Sequence, residues 1–387
     1  VYSDPATPFN HCFMADGKTF AARNPDDAAA MIEDTEQILD WGEGRTWYLP
    51  RQVKFLTDGA IYSQLMMMKD GYTDGHHGAW IMDPPVFSYA FQSYWDAGYQ
   101  IHVHNNGDAG MDVLLGELEE AMRRNPRQDH RTVLVHFGFA TPEQIERWGE
   151  LGGIVSSNPY YVTALAGRYA ELGIGPERSK NMVPMGDVVK NNISFSFHSD
   201  MPMAPAKPLQ LVWAGINRTT AEGPVAGPEH KVTLEQALNA ITLDAAYSIQ
   251  QEDKVGSIEV GKYANLTILE QSPFEVEPES VKEIEIWGTM LEGRLQPVAQ
   301  DCAQGAELHL RLLQELHEEE GSHLHGHAVP LGGDENPHMG LTPGTEFRIQ
   351  SQILFTDVVA ADPGRSAIDH HELPVIAEVE LKLVTPT

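Results

Sequence analysis

Four side chains in the first 200 residues have the chemistry of metal ligands, and each lies at or just beyond the end of a different apolar segment. These side chains are Lys54, His104, His136 and Asp200. The apolar segments predict strands at residues 53–56, 101–104, 133–136 and 193–197. Imidazole nitrogens and a carboxylate are suitable ligands for Zn²⁺, with one position left for water. Their order and spacing therefore predict a metal site.

Each of these residues also has a purely structural interpretation. A single histidine at a strand end is more often a hydrogen-bonded core residue than a ligand, and an aspartate before Met-Pro, such as Asp200, is usually a turn or a cap. Lys54 is harder to explain in this way, because burying an unpaired ammonium group in an apolar strand is costly. The presence of all four residues in separate units favours the metal site.

Predicted helices separate these strands and make them parallel. Residues 111–122 carry one apolar stripe at helical spacing, and Thr141 and Thr233 begin capping boxes of two further helices. Strand, helix and strand at this spacing predict βαβ units, with additional strand candidates at residues 153–156 and 1–3. Because the carboxyl ends of parallel barrel strands meet at one mouth, we expect the four side chains to lie there.

The second part of the sequence has a different character, with short strands and glycine turns. The predicted division is a parallel barrel at residues 1–250, a small β-subdomain at 251–299, and a polar linker with a C-terminal β-containing extension at 300–387. Alternating polarity predicts strands at 347–355 and 375–384. The linker holds three alternating histidines, which suit either a metal site or a solvated loop: His323, His325 and His327.

The acidic composition limits the partners of the protein. Its 387 residues include 26 basic and 56 acidic side chains, which gives a net charge of −30. Such a charge repels nucleic acid and anionic membranes. No run of about 18 apolar residues is present to span a membrane. We therefore expect a small-molecule partner, with no nucleic acid and no membrane.

The cysteine content and the first residue of the chain are relevant to the cellular location of the protein. Cys12 and Cys302 exclude a disulfide framework, although one bond stays possible. Val1 is not an initiator methionine, so the start of the chain does not identify a compartment. A cytoplasmic location is expected, with a periplasmic or secreted one left open.

Several motifs occur together in the order typical of one hydrolase family. They are Lys54 with Thr57-Asp58-Gly59, His104 with Gly107-Asp108, His136 at a strand end, Ser199-Asp200-Met201-Pro202, and the segments 234–242 and 256–265. Over residues 1–297 this ordered set resembles the amidohydrolase superfamily, in particular its amidohydrolase family 3 or YtcJ-like branch. The resemblance implies an α/β fold of the (β/α)8 TIM-barrel type.

The resemblance also implies a role for each motif residue. In such enzymes the lysine at the position of Lys54 is often carboxylated and bridges two divalent metal ions such as Zn²⁺. His104 and His136 would bind metal, and Asp200 would bind metal and carry the catalytic proton. A carbamate forms only on a neutral amine, which a metal-rich and partly desolvated site favours.

The function implied is hydrolysis of a non-peptide C–N bond in an amide, formamide or cyclic amide, with water activated by the metal. An ester, lactone or phosphoester hydrolase at a similar site is the alternative among enzymes. A catalytically inactive barrel that serves as a binding or assembly subunit is the alternative from another class. Metal analysis separates the last alternative from the others, because an inactive scaffold should hold no stoichiometric zinc.

Further residues near the predicted mouth are candidates for contacts with substrate. Tyr160 and Tyr161 follow the predicted strand at 153–156 and are predicted to bind substrate, although packing of at least one in the core fits equally well. His198, two residues before Asp200, is the third predicted substrate contact. Asp58 adjoins a turn-forming glycine, which predicts either a turn or a role in holding the ligands.

One motif of the superfamily and its strand have no counterpart before Lys54. The superfamily places a His-X-His pair at the end of strand one, whereas His11 is the only earlier histidine. His102 and His104 form such a pair, but their context matches strand five, where only His104 is expected to bind. We therefore expect an incomplete barrel of strands three to eight. An N-terminal fragment or another chain that carries the His-X-His pair would complete it, and the completed barrels would form a homo-oligomer.

Overall fold

The structure is a computed structural model that describes residues 4, 6–40, 42, 44–297, 348–351 and 379–382. Its main sheet has six parallel strands in sequential order: β1 (His11–Asp16), β2 (Thr46–Leu56), β3 (Gln100–Asn105), β4 (Val133–His136), β5 (Ile154–Ser157) and β6 (Phe195–Phe197). The strands β3 to β6 are buried along their whole length. Burial on both faces is typical of parallel strands that are covered by helices.

Helices connect these strands and cover the sheet. They are α1 (Gly17–Arg23), α2 (Ala28–Glu36), α3 (Pro84–Asp96), α4 (Asp108–Arg124), α5 (Pro142–Glu150), α6 (Tyr160–Arg168), α7 (Pro176–Ser179), α8 (Met185–Lys190), α9 (Pro208–Asn217), α10 (Leu234–Ala240) and α11 (Leu243–Ser248). The predicted apolar stripe lies on α4, where Met111, Leu115 and Leu118 are fully buried. Both predicted capping boxes are present, at the first turns of α5 and α10. None of the helices within the described residues has the length and apolar character needed to cross a membrane.

The parallel order of the predicted strands is confirmed, and their bounds differ in two places. Strand β1 was not predicted, and the candidate at residues 1–3 lies outside the described residues. Strand β2 begins seven residues before the predicted position 53. Within the described residues the outer edges of β1 and β6 pair with no further strand, so the sheet is open. The part of the chain that the structure describes thus contributes six parallel strands of the predicted type, which by themselves do not close a barrel.

The region after the main sheet contains antiparallel strands. Strands β7 (Leu266–Leu269), β8 (Ile286–Leu291) and β9 (Arg294–Pro297) form a three-stranded sheet. Strands β10 (Arg348–Ser351) and β11 (Val379–Lys382) pair with Ile349 opposite Leu381, at positions within the two predicted C-terminal strands. The rest of the predicted extension, with its three histidines, lies outside the described residues. The division at residues 250 and 299 stays a prediction.

Candidate active site

The carboxyl ends of β2, β3, β4 and β6 bring the four predicted ligands to one place. Lys54 lies two residues before the end of β2, and His104 is the penultimate residue of β3. His136 ends β4, and Asp200 follows the end of β6 by three residues. All four line a single cavity of about 260 Å³. The prediction that these strand ends converge is therefore reproduced by the structure.

Three histidine rings pack against one another in this cavity. The ring centroids of His104 and His136 are 4.4 Å apart, and those of His136 and His198 are 4.9 Å apart. His198 Nε2 lies 3.1 Å from His136 Nδ1, and His198 Nδ1 lies 3.0 Å from Ser156 Oγ. His198, a predicted substrate contact, is thus part of the same cluster as two predicted metal ligands.

Burial keeps these imidazoles uncharged at neutral pH. Desolvation, followed by the positive charge of Lys54, lowers the pKa of His104 to about 4. Desolvation also lowers the pKa of His198 to about 4, and it holds the pKa of His136 well below its ordinary value. A neutral imidazole keeps a lone pair that can bind a metal ion. The protonation state therefore suits ligands.

His102 lies deeper in the cavity and is held by a neighbouring strand. Its Nε2 is 3.1 Å from Gln52 Oε1, and desolvation lowers its pKa to about 3. Gln52 in turn donates to the backbone oxygen of Ile249 at 2.8 Å. That His104, and not His102, is the metal ligand of the pair stays a prediction.

Asp200 and Tyr161 are in direct contact. The hydroxyl of Tyr161 donates to Asp200 Oδ2 at 3.1 Å and lies 3.1 Å from His136 Nδ1. Asp200 Oδ2 is 3.7 Å from the same Nδ1. Tyr160, by contrast, is half-buried and packs against the core. Of the two predicted tyrosines, the structure brings only Tyr161 to the metal-ligand candidates.

Asp58 is fully buried, and hydrogen bonds to its carboxylate link two loops at the mouth of the cavity. Its Oδ1 accepts hydrogen bonds from the Thr57 hydroxyl at 3.1 Å and from the Asn106 backbone at 2.9 Å. Its Oδ2 accepts from the backbone N–H groups of Met67 at 2.9 Å and Gly107 at 2.7 Å. Burial raises the pKa of Asp58 to about 6, although all four donors favour the ionised form. The residue holds the loop after β2 against the turn after β3.

Three residues that the sequence reasoning missed also shape the site. Asp16 lines the cavity at the end of β1, where it accepts a hydrogen bond from the Thr19 hydroxyl at 2.6 Å. Ser156 holds His198, and the Asn106 side chain lies 3.1 Å from His104 Nε2. The Asp-Gly step that follows Ala15 resembles the one at Asp58. This Asp-Gly step could have indicated that a strand ends at Asp16.

The donors are suitable in type and location for a divalent metal ion, but they are not assembled as a finished cluster. Among the described residues, no group of three or more His, Cys, Asp or Glu side chains is arranged to hold a metal. His136 and Asp200 are instead joined through Tyr161. Two neutral imidazoles, a lysine and a carboxylate on one cavity nevertheless form a set that fits a borderline divalent ion.

Comparison with known proteins agrees with the fold and gives the family. The chain is 28% identical over 204 residues to the N-substituted formamide deformylase of Arthrobacter pascens, which covers 51% of this chain and 36% of that protein. It is 23% identical over 248 residues to the putative amidohydrolase YtcJ of Bacillus subtilis (strain 168), which covers 63% and 46%. The chain thus spans less than half the length of these relatives.

A solved structure and a family model extend the comparison. An uncharacterized metal-dependent hydrolase from Pyrococcus horikoshii superimposes with a TM-score of 0.53 at 21% identity, over 64% of this chain and 50% of that one. At this identity the likeness concerns the fold alone. The family model described as "Amidohydrolase family" matches residues 11–296, which is well over half of the sequence. The chain therefore belongs to the amidohydrolase family.

Proposed function

We propose that this chain forms the greater part of a metal-dependent hydrolase that cleaves a non-peptide C–N bond in an amide, a formamide or a cyclic amide. The observation that carries the proposal is the single cavity onto which four different strand ends bring Lys54, His104, His136 and Asp200. Family membership supports a hydrolase, and the relative named as a formamide deformylase supports this type of bond. A small molecule suits the cavity volume of about 260 Å³.

The metal would be held by His104, His136 and Asp200, with Lys54 as a carboxylated ligand. A bound Zn²⁺ or similar ion supplies Lewis acidity, which polarises a substrate carbonyl and lets water lose a proton near neutral pH. Burial keeps both imidazoles neutral and so ready to bind. The carbamate of Lys54 would carry a negative charge, which would balance the charge of the bound cation.

Asp200 is the proton carrier in this proposal. Its carboxylate lies at the mouth, in contact with Tyr161 and 3.7 Å from His136. From there Asp200 takes a proton from the attacking water and delivers it to the leaving nitrogen, which is general acid–base catalysis. Protonation of the nitrogen lets the amine leave as a neutral molecule.

The sheet edges support a further part of the proposal, which concerns partners. Within the described residues β1 and β6 each have one unpaired edge, and unpaired edges expose backbone N–H and C=O groups. We propose that two more parallel strands, carrying a His-X-His pair, close the sheet from another polypeptide or segment. The closed barrels would then associate as a homo-oligomer.

Metal analysis and two substitutions test the function. We expect purified protein that contains the complete barrel to hold one or two divalent ions per site. Asp200→Asn should reduce turnover by about 10²–10⁴-fold while most of the metal stays bound, because it removes the proton carrier. Lys54→Ala should lose both metal and turnover.

Asp96→Asn is the matched control. Asp96 ends α3, immediately before the amino end of β3, so it lies at the sheet edge opposite the cavity. Its substitution should leave metal content and turnover unchanged. Full turnover in Asp200→Asn would remove this residue from the mechanism. Absence of metal from an otherwise folded protein would instead favour an inactive barrel subunit.

A further inference from the structure

The hydroxyl of Tyr161 connects the ends of two strands at the centre of the site. The side chain is buried, with 1% of its surface exposed. Its hydroxyl oxygen lies 3.1 Å from His136 Nδ1 at the end of β4 and 3.1 Å from Asp200 Oδ2 beyond β6. This group therefore contacts two residues that the proposed function treats as metal ligands, and the inference below rests on that function.

The hydrogen positions in this contact follow from the chemistry of its members. An ionised carboxylate only accepts hydrogen bonds, so the Tyr161 hydroxyl donates its proton to Asp200 Oδ2. A hydroxyl that donates to a carboxylate makes the stronger, charge-assisted bond. The Tyr161 oxygen is then the acceptor toward His136, and Nδ1 of His136 must carry the hydrogen.

The contacts of His198 agree with this assignment. His198 Nδ1 lies 3.0 Å from Ser156 Oγ and can donate to it, which leaves a lone pair on Nε2. That Nε2 lies 3.1 Å from His136 Nδ1, where a lone pair needs a hydrogen opposite it. Both neighbours of Nδ1 therefore favour the same tautomer of His136, with the hydrogen on Nδ1 and the lone pair on Nε2.

We propose that Tyr161 is a positioning residue. It holds His136 in the tautomer whose Nε2 lone pair binds metal, and it fixes the orientation of the Asp200 carboxylate. Its hydroxyl is engaged by two protein side chains and its ring is buried, so direct recognition of substrate is not its main role. The tautomer of a ligating histidine is set by the hydrogen bond that its other nitrogen makes.

A second tyrosine holds Tyr161 in place. The ring of Tyr62 packs edge-on against that of Tyr161, with centroids 5.6 Å apart and planes at 78°. The Tyr62 hydroxyl donates to the backbone oxygen of Met203 at 3.0 Å. Tyr62 therefore contacts both Tyr161 and the segment that follows Asp200, so the loops after β2 and β6 keep the hydroxyl near both partners.

The test is Tyr161→Phe, which removes the hydroxyl and keeps the ring. We expect the affinity for Zn²⁺, measured by chelator competition, to fall by about 10–100-fold, as is usual when a group that orients a ligand is lost. Tyr160→Phe is the matched control, because it removes the hydroxyl of the adjacent residue, whose hydrogen bond to Asn158 is made by its backbone N–H and is therefore kept. Its affinity for Zn²⁺ should stay within about twofold of the unchanged protein.

Nitrogen-15 NMR of the histidine rings gives a readout that a merely structural role would not move. In the metal-free protein we expect His136 to carry its hydrogen on Nδ1, and in Tyr161→Phe we expect a shift toward the other tautomer. A hydrogen on Nε2 in the unchanged protein overturns the inference even if the variant fails to fold. Equal Zn²⁺ affinity of Tyr161→Phe and the unchanged protein also overturns it. Absence of Zn²⁺ binding in the unchanged protein refutes the proposed function, whereas the tautomer measurement tests Tyr161 separately.

Discussion

Replacement of Asp58 by asparagine should change the stability of the protein in a pH-dependent way. The carboxylate accepts four hydrogen bonds, from the Thr57 hydroxyl and from three backbone N–H groups. An amide can keep two of the backbone groups on its oxygen and donate to the Thr57 oxygen. The backbone N–H of Asn106 then faces the amide NH₂ group. One buried donor without an acceptor costs about 1–3 kcal/mol.

The pKa of Asp58 supplies an opposing contribution. Burial raises this pKa from 3.8 to about 6, so the folded protein binds the proton more tightly than the unfolded chain. As pH rises from 4 to 7 the proton is lost, and the protein becomes less stable by about 2–3 kcal/mol because of this group. Asparagine stays neutral and does not lose this contribution. The variant should therefore be destabilised by about 1–3 kcal/mol at pH 4 and nearly neutral or slightly stabilised at pH 7.

Urea denaturation of both proteins at pH 4, 5.5 and 7 measures this difference, and other titrating groups cancel between them. Asp58→Ala should be worse than Asp58→Asn at pH 7, because it leaves three backbone donors without an acceptor and opens a cavity. Asp244→Asn is the control: burial also raises the pKa of Asp244 to about 6, but within the described part of the chain its carboxylate accepts one side-chain hydrogen bond, from the Ser194 hydroxyl. It should show the pH trend without the loss at pH 4. A pH-independent effect of Asp58→Asn would refute the reasoning.

Two other predictions concern a loop and the sheet edges. The ring nitrogens of His76 lie 2.5 Å from Asp74 Oδ1 and 2.7 Å from the backbone oxygen of Gln64, so both must donate, and these contacts raise the pKa of His76. The loop should be most resistant to limited proteolysis below the ordinary histidine pKa and lose this protection as pH rises through the raised pKa, whereas His76→Asn should show no such trend. Native mass spectrometry should find further strands with a His-X-His pair bound to the open edges of the sheet, and an active, monodisperse particle that lacks them would contradict the proposal of closure.

The candidate ligands could be predicted from the sequence because each lies at or just beyond the end of an apolar segment that is recognisable as a strand. His104 and His136 end continuous runs of buried residues, which are recognisable in sequence since both faces of a parallel strand are covered. The helices between these strands can be recognised in the sequence by their capping boxes and by an apolar stripe. Alternation of strands and helices makes the strands parallel, so their carboxyl ends lie at the same edge of the sheet. This is why the sequence could predict that the four candidate ligands lie together.

The first half of β2, which pairs with the unpredicted strand β1, escaped prediction for a local reason. Their pairing jumps from Phe13 opposite Tyr48 to Ala15 opposite Val53, so β2 contains extra residues at this point. Pro50 and Arg51 lie in the irregular part, and Arg51 adopts a left-handed φ of 55°. Proline in a strand usually argues against a central position, because it removes a donor from the ladder. Because of this bulge, sequence periodicity alone does not extend the predicted strand into the first half of β2.

The way the ligand candidates turn at their strand ends could not be predicted at all. His136 has a φ of 78°, and Asp200 has a φ of 55°, in the left-handed region that is common only for glycine, although histidine and aspartate are enriched there among the other residue types. Such a conformation at another residue type costs on the order of 1–3 kcal/mol and persists only where surrounding contacts impose it. The packing of His136 between two imidazoles and the Tyr161 hydroxyl provides such contacts. The same hydroxyl also contacts Asp200, so one buried group joins the two residues, and the sequence offered Tyr161 only as a substrate contact or a core residue.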